Sequence, residues 1–248
     1  MKRLWKTEIQ WLDAMFPNGY PIPGSTLISG PGGSGKPLIS LAFSGAWLKA
    51  GGRALLFLTS TDRAYTEKVL GLLGYAMSDY KGRFLFVDFK PQATTVDRVS
   101  DDQVNANLLD PRAWEQVLNM TDGLDGGDMG TLVIASAINL FFFSPTYGER
   151  IHAYLKELLA DPGDMTVHMT INSDVFRPKA TALEAAAQNL FVTRMEKPMR
   201  LFLKPVRISG AEYDDHETLV PLSMATLQEI KAEAERGRRD LIPLLSKV

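Results

Sequence analysis

The chain has no cysteine, which excludes disulfides, thiolate nucleophiles and Cys-based zinc centres. It has no long apolar run. The longest, residues 138–143, is broken by Asn139 and falls far short of the ~20 residues a bilayer-spanning helix needs. The first nineteen residues carry Lys2, Arg3, Lys6 and Glu8, without the apolar stretch of a signal peptide. There is no excess of one charge either. The 27 basic and 29 acidic residues leave a net charge of −2, so nothing draws the chain generally to nucleic acid or to an anionic membrane. His152, His168 and His216 are scattered, with no second ligand at metal-binding spacing. These absences lead us to expect a soluble, cytoplasmic protein with no membrane contact and no nucleic-acid partner.

A more specific absence lies in Gly30-Pro31-Gly32-Gly33-Ser34-Gly35-Lys36-Pro37. Up to Lys36 this is a phosphate-binding loop of the form G-x-x-x-x-G-K, whose backbone amides cradle phosphates while the lysine reaches the outer ones. The next residue is normally Ser or Thr, and its hydroxyl holds magnesium. Pro37 has neither a hydroxyl nor a backbone N–H. Proline is tolerated in the first turn of a helix, so the substitution weakens the ligand site and spares the fold. The expected phosphate contacts are Gly30, Pro31, Gly32, Gly33, Ser34, Gly35, Lys36, Pro37 and Leu38. The alternative is a tight strand-to-helix turn with a solvated lysine. Ser34 has no His-Asp set in a recognisable order, which argues against nucleophilic catalysis.

The surrounding pattern supports the loop. Apolar runs predict strands over 25–29, 54–58, 83–87, 131–135, 166–171, 190–193 and 199–203. Helical periodicity predicts helices over 7–16, 38–50, 64–73, 114–120, 147–159 and 227–239. Strands alternating with helices at this spacing predict an α/β fold, a mainly parallel sheet covered on both faces. The closely spaced late strands predict an antiparallel addition at one edge. No repeat and no linker divides the chain, so one domain over 1–248 is expected, with a helical tail from about 224.

The chain resembles the KaiC-like branch of the RecA-superfamily P-loop ATPases. The match runs collinearly through Thr7-Glu8-Ile9-Gln10-Trp11-Leu12-Asp13, Gly19-Tyr20-Pro21-Ile22-Pro23-Gly24-Ser25, the loop itself and Leu56-Phe57-Leu58-Thr59-Ser60-Thr61-Asp62. It continues through Gly82-Arg83-Phe84-Leu85-Phe86-Val87-Asp88, Leu132-Val133-Ile134-Ala135-Ser136, Glu184-Ala185-Ala186-Ala187-Gln188-Asn189 and Leu203-Lys204-Pro205-Val206-Arg207. The resemblance implies a RecA-like three-layer fold that binds ATP between neighbouring subunits. Lys204 and Arg207 then correspond to residues that reach a neighbour's nucleotide, although Pro205 and Val206 widen their spacing.

The resemblance also marks three departures. Pro37 replaces the magnesium-binding hydroxyl, Ala135 the strand-end aspartate, and Thr61 the first of two glutamates, with Asp62 at the second. Asp62 is therefore the one candidate for a catalytic carboxylate. Ser136 and Asn139, at or beyond a strand end, could hold a water, whereas Asp128 lies at the wrong end of that strand. The combined losses imply a degenerate ATPase that binds ATP weakly, does not hold magnesium tightly, and acts as a regulator or scaffold. It would work as a homo-oligomer, as a hetero-oligomer with a related ATPase, or with another protein partner. The alternatives are an active ATPase with altered metal ligation, or one completed by a partner subunit, and a recombinase-like DNA-binding protein.

Overall fold

A computed structural model describes residues 2–222, together with 227, 228, 232, 239 and 241–247. Most of the helix expected over 227–239, and most of the 224–248 tail, lie outside the described residues.

A two-stranded ribbon, β1 (Arg3–Trp5) against β2 (Tyr20–Ile22), precedes the main sheet. Helix α1 between them is only Gln10–Asp13, shorter than the expected 7–16. The Asp13 carboxylate accepts from the backbone N–H groups of Thr7 and Glu8, at 2.8 and 2.9 Å, and holds 7–9 outside the helix.

The ten-stranded sheet begins with β3 (Gly24–Gly30), which runs into the glycine loop and then α2 (Lys36–Lys49). Next come β4 (Arg53–Leu58), α3 (Arg63–Leu72), β5 (Phe84–Phe89), β6 (Asp97–Ser100), β7 (Gln103–Ala106) and α4 (Pro111–Asn119). The chain continues through β8 (Thr131–Ala135), α5 (Gly148–Ala160), β9 (Thr166–Asn172) and α6 (Arg177–Ala186). It then adds β10 (Asn189–Glu196), β11 (Arg200–Arg207) and β12 (Thr218–Leu219). The strand order is β12-β11-β10-β3-β9-β8-β4-β5-β7-β6. Every pairing from β10 to β7 is parallel.

The expected antiparallel edge is present, since β11 pairs with β10 and β12 with β11. The opposite edge is antiparallel as well, through β6 against β7. No apolar run signals β6, because all four of its residues are exposed. Helix α6 also went unanticipated, since only Ala180 and Leu183 on it are buried.

Period-two alternation divides the core between the sheet's two faces. Leu27, Leu55 and Val133 point to one side, against Trp114 of α4, Leu155 and Leu159 of α5 and Leu183 of α6. Ile28, Leu56 and Ile134, one residue on in each strand, point to the other, against Phe43 and Trp47 of α2 and Val69 and Leu70 of α3. This three-layer arrangement places the β3–α2 loop at the carboxyl ends of the parallel strands, where open α/β sheets bind ligands.

Candidate phosphate site

The loop curls over the head of α2 because glycines occupy its left-handed positions. Gly33 has φ 76° and Gly35, the residue before α2, φ 68°. Gly30 is required for a different reason. A β-carbon there would lie 2.3 Å from Oγ1 and 2.6 Å from the carbonyl oxygen of Thr193 on β10.

Lys36 is buried, and its ammonium is folded back on the loop. It donates to the carbonyls of Gly30 (2.8 Å) and Pro31 (2.6 Å) and to Ser34 Oγ (3.0 Å). Ser34 Oγ also lies 2.7 Å from Thr193 Oγ1, and Thr193 Oγ1 donates to the Ser29 carbonyl at 3.2 Å. The loop is therefore clamped from inside by Lys36 and from the neighbouring strand by Thr193. Pro37 is the second residue of α2 and Leu38 the third. The Leu38 amide donates to the Gly35 carbonyl at 3.1 Å, and its side chain is buried in the apolar core.

Gly32 to Pro37 line a cavity of about 60 Å³. Across from the loop stand Ser60 and Thr61 after β4, Tyr65 of α3, and Ala137 and Asn139 after β8. Thr170 and Asn172 of β9, Met195 of β10 and Leu227 complete the wall. Backbone bonds fix its polar floor. Thr170 Oγ1 accepts from the Ala137 amide at 2.8 Å, and Asn139 Oδ1 accepts from the Asn172 amide at 3.1 Å. Ala137 adopts φ 54°, a left-handed conformation uncommon away from glycine and typical of ligand sites. Lys36 is the one charged side chain among the described residues lining the cavity.

The remaining sequence candidates lie outside this cavity. Asp62 is exposed and caps α3, its Oδ1 accepting from the Tyr65 amide at 2.8 Å. Its neighbour Arg63 is turned the other way, onto Asp102, with both guanidinium–carboxylate contacts at 2.8 Å. Asp102 holds the Arg63 pKa above its usual value, and Arg63 holds that of Asp102 below it. Ala135 is fully buried in the core on the α4–α5 face. Ser136 instead faces Pro37, across a small adjoining space of about 20 Å³ walled by Leu41, Leu58 and Tyr65. Lys204 is exposed on β11. Arg207 donates to the carbonyls of Glu184 and Ala187 (2.7 Å to the latter), at the carboxyl end of α6.

Sequence reasoning did not single out Tyr65, Thr170, Asn172, Thr193, Met195 or Leu227. Tyr65 carried a weak signal, one helical turn from Asp62. The others sit on strands and segments far away in the chain, and only strand order brings them to the loop.

Neither a protein-family model nor a curated protein matches the sequence. Solved structures match it by shape. A KaiC-like protein from the hyperthermophilic archaeon Pyrococcus horikoshii superposes with a TM-score of 0.67 at 14% identity, over 90% of this chain and 96% of that one. The fold is KaiC-like. The flagellar accessory protein FlaH from Methanocaldococcus jannaschii also superposes, with a TM-score of 0.63 at 15% identity over 87% of this chain and 93% of that one. The KaiC-like, RecA-type architecture expected from the collinear segments is thus present over most of the chain. Among the described residues no helix is long and apolar enough to cross a membrane.

Proposed function

We propose that this KaiC-like chain binds the phosphate end of a nucleotide, ATP being the family's ligand, without cleaving it, and acts as a regulator or scaffold through association. One observation carries this reading: among the described residues, no carboxylate lines the phosphate cavity.

Phosphoryl transfer depends on charge neutralisation, usually by a metal ion, and on a positioned water. Magnesium requires oxygen ligands, commonly a carboxylate and a loop hydroxyl. Pro37 supplies none, Ala135 faces the core, and Asp62 is engaged at the α3 cap. The donor set does not fit magnesium. It does fit a phosphate, which can meet the left-handed loop glycines and the positive end of α2 above the buried positive charge of Lys36.

Association is supported by the outer face of β10–β11–β12. Val192, Val206 and Leu219 are exposed there, beside Lys204. This face mixes apolar side chains with Lys204 and with Arg194 lying over Phe202, a composition that suits a subunit contact.

The test combines titration of dye-labelled ATP with sensitive phosphate-release kinetics, using Lys36→Ala as control. Saturable binding lost in that variant, with phosphate release no faster than in the control, is expected. Magnesium-dependent turnover that disappears in Lys36→Ala would overturn the reading. Native mass spectrometry tests association, and a monomer at all concentrations would remove that part.

A further inference from the structure

Resting on the phosphate-binding reading, we infer that the site is built for a single phosphate group on an organic body, a phosphomonoester such as a nucleoside monophosphate, bound without a divalent cation and in preference to a magnesium-bound triphosphate.

Charge is the first argument. The ammonium of Lys36 contributes one positive charge, and the head of a helix adds roughly half a charge more. A phosphomonoester carries about −1.5 to −2 at neutral pH, close to what these two sources balance. Each further phosphate adds negative charge, and no other cation among the described lining residues meets it. A magnesium ion would normally do so. The space beside Pro37 is only about 20 Å³ and is lined by apolar side chains and the hydroxyl residues Thr61, Thr66 and Ser136, with no carboxylate among the described lining residues, a donor set poor for magnesium.

Size is the second. The phosphate cavity itself holds only about 60 Å³. It lies far below the roughly 300–1,000 Å³ of a site that encloses a whole small molecule.

The third argument is where the organic body goes. A groove of about 670 Å³ shares Gly33 and Met195 with the phosphate cavity and continues along the β10–β11 turn, past Lys197, Pro198 and Met199. Two methionines and a proline make a deformable apolar shelf suited to a ring system. Glu196 at its rim is already paired with Arg194 and Arg200. The phosphate cavity and the shelf are contiguous, so one ligand can occupy both.

The experiment is isothermal titration of the full chain with inorganic phosphate, AMP and ATP, each in magnesium and in EDTA. AMP is expected to bind at least about tenfold tighter than magnesium-ATP, a difference of roughly 1.4 kcal/mol, and EDTA should leave its affinity unchanged. Met199→Ala, at a half-buried shelf residue outside the phosphate cavity, should weaken AMP several-fold and leave inorganic phosphate alone. Tighter binding of ATP in magnesium than in EDTA, exceeding that of AMP, would overturn the inference while leaving the phosphate-binding reading intact. Equal effects of Met199→Ala on AMP and inorganic phosphate would remove the shelf. No binding of any of the three would overturn both readings together.

Discussion

Ser34 Oγ lies 2.7 Å from Thr193 Oγ1, so a hydroxyl pair 159 residues apart in sequence ties the glycine loop to strand β10. Thr193 is 1% exposed and also bonds the Ser29 carbonyl. Water therefore cannot replace either partner without opening the sheet. Thr193→Val keeps the shape and deletes the hydroxyl. It should lower the unfolding free energy by about 1–2 kcal/mol and weaken phosphate binding, as read by urea denaturation and titration. Unchanged affinity with reduced stability would mean that the clamp supports the sheet alone.

Pro37→Thr restores both missing groups at the head of α2, where the following Leu38 amide is already bonded to Gly35. A recovered hydrogen bond to a charged phosphate contributes about 1.5–3 kcal/mol, so ATP should bind at least about tenfold tighter. Magnesium should begin to strengthen binding in this variant, having no such effect in the parent. The same titration in magnesium and in EDTA checks both points.

His168 sits on β9 between Phe43 (ring centroids 4.4 Å apart) and Tyr20 (5.9 Å). It is fully buried, and neither ring nitrogen has a hydrogen-bond partner among the described residues. Burial pushes its pKa down from the ordinary 6.5 to about 3. Between those values the unfolded chain binds a proton that the folded chain refuses. Stability therefore falls as pH drops from about 6.5 towards 3, by at most about 1.4 kcal/mol per unit, and is insensitive to this group above pH 7. His168→Leu should flatten that acid slope and raise the thermal midpoint at pH 5 more than at pH 7.5.

Arg207 donates to Glu184 and Ala187 carbonyls at the end of α6, a favourable place for a cation. Arg207→Ala should destabilise by about 1 kcal/mol in thermal unfolding and leave phosphate affinity unchanged. A loss of nucleotide binding confined to the assembled protein, at constant stability, would instead assign this arginine to a neighbour's pocket. Lys204→Ala, at an exposed position, provides the comparison.

Much of this molecule follows from its sequence alone. The β3–loop–α2 unit is legible because glycines, a lysine and a following apolar helix are contiguous. β4, β5 and β8 are legible because a strand buried on both faces is a largely continuous apolar run, and β9 through its alternating Val167, Met169 and Ile171. The missing hydroxyl at Pro37 can be read in one residue. The tertiary structure decided the rest. The β6 edge strand is polar and exposed, and α6 buries only two residues, so neither leaves a strong local pattern. The same holds for what surrounds the phosphate. Thr193, Met195 and Thr170 meet the loop only because strand order places β9 and β10 beside β3. Asp62 is adjacent to the site in sequence, yet the α3 amino terminus draws its carboxylate to the Tyr65 amide. Periodicity and motifs report interactions among near neighbours in the chain, whereas a pocket wall is assembled by contacts between strands and segments whose separation in sequence carries no local signal.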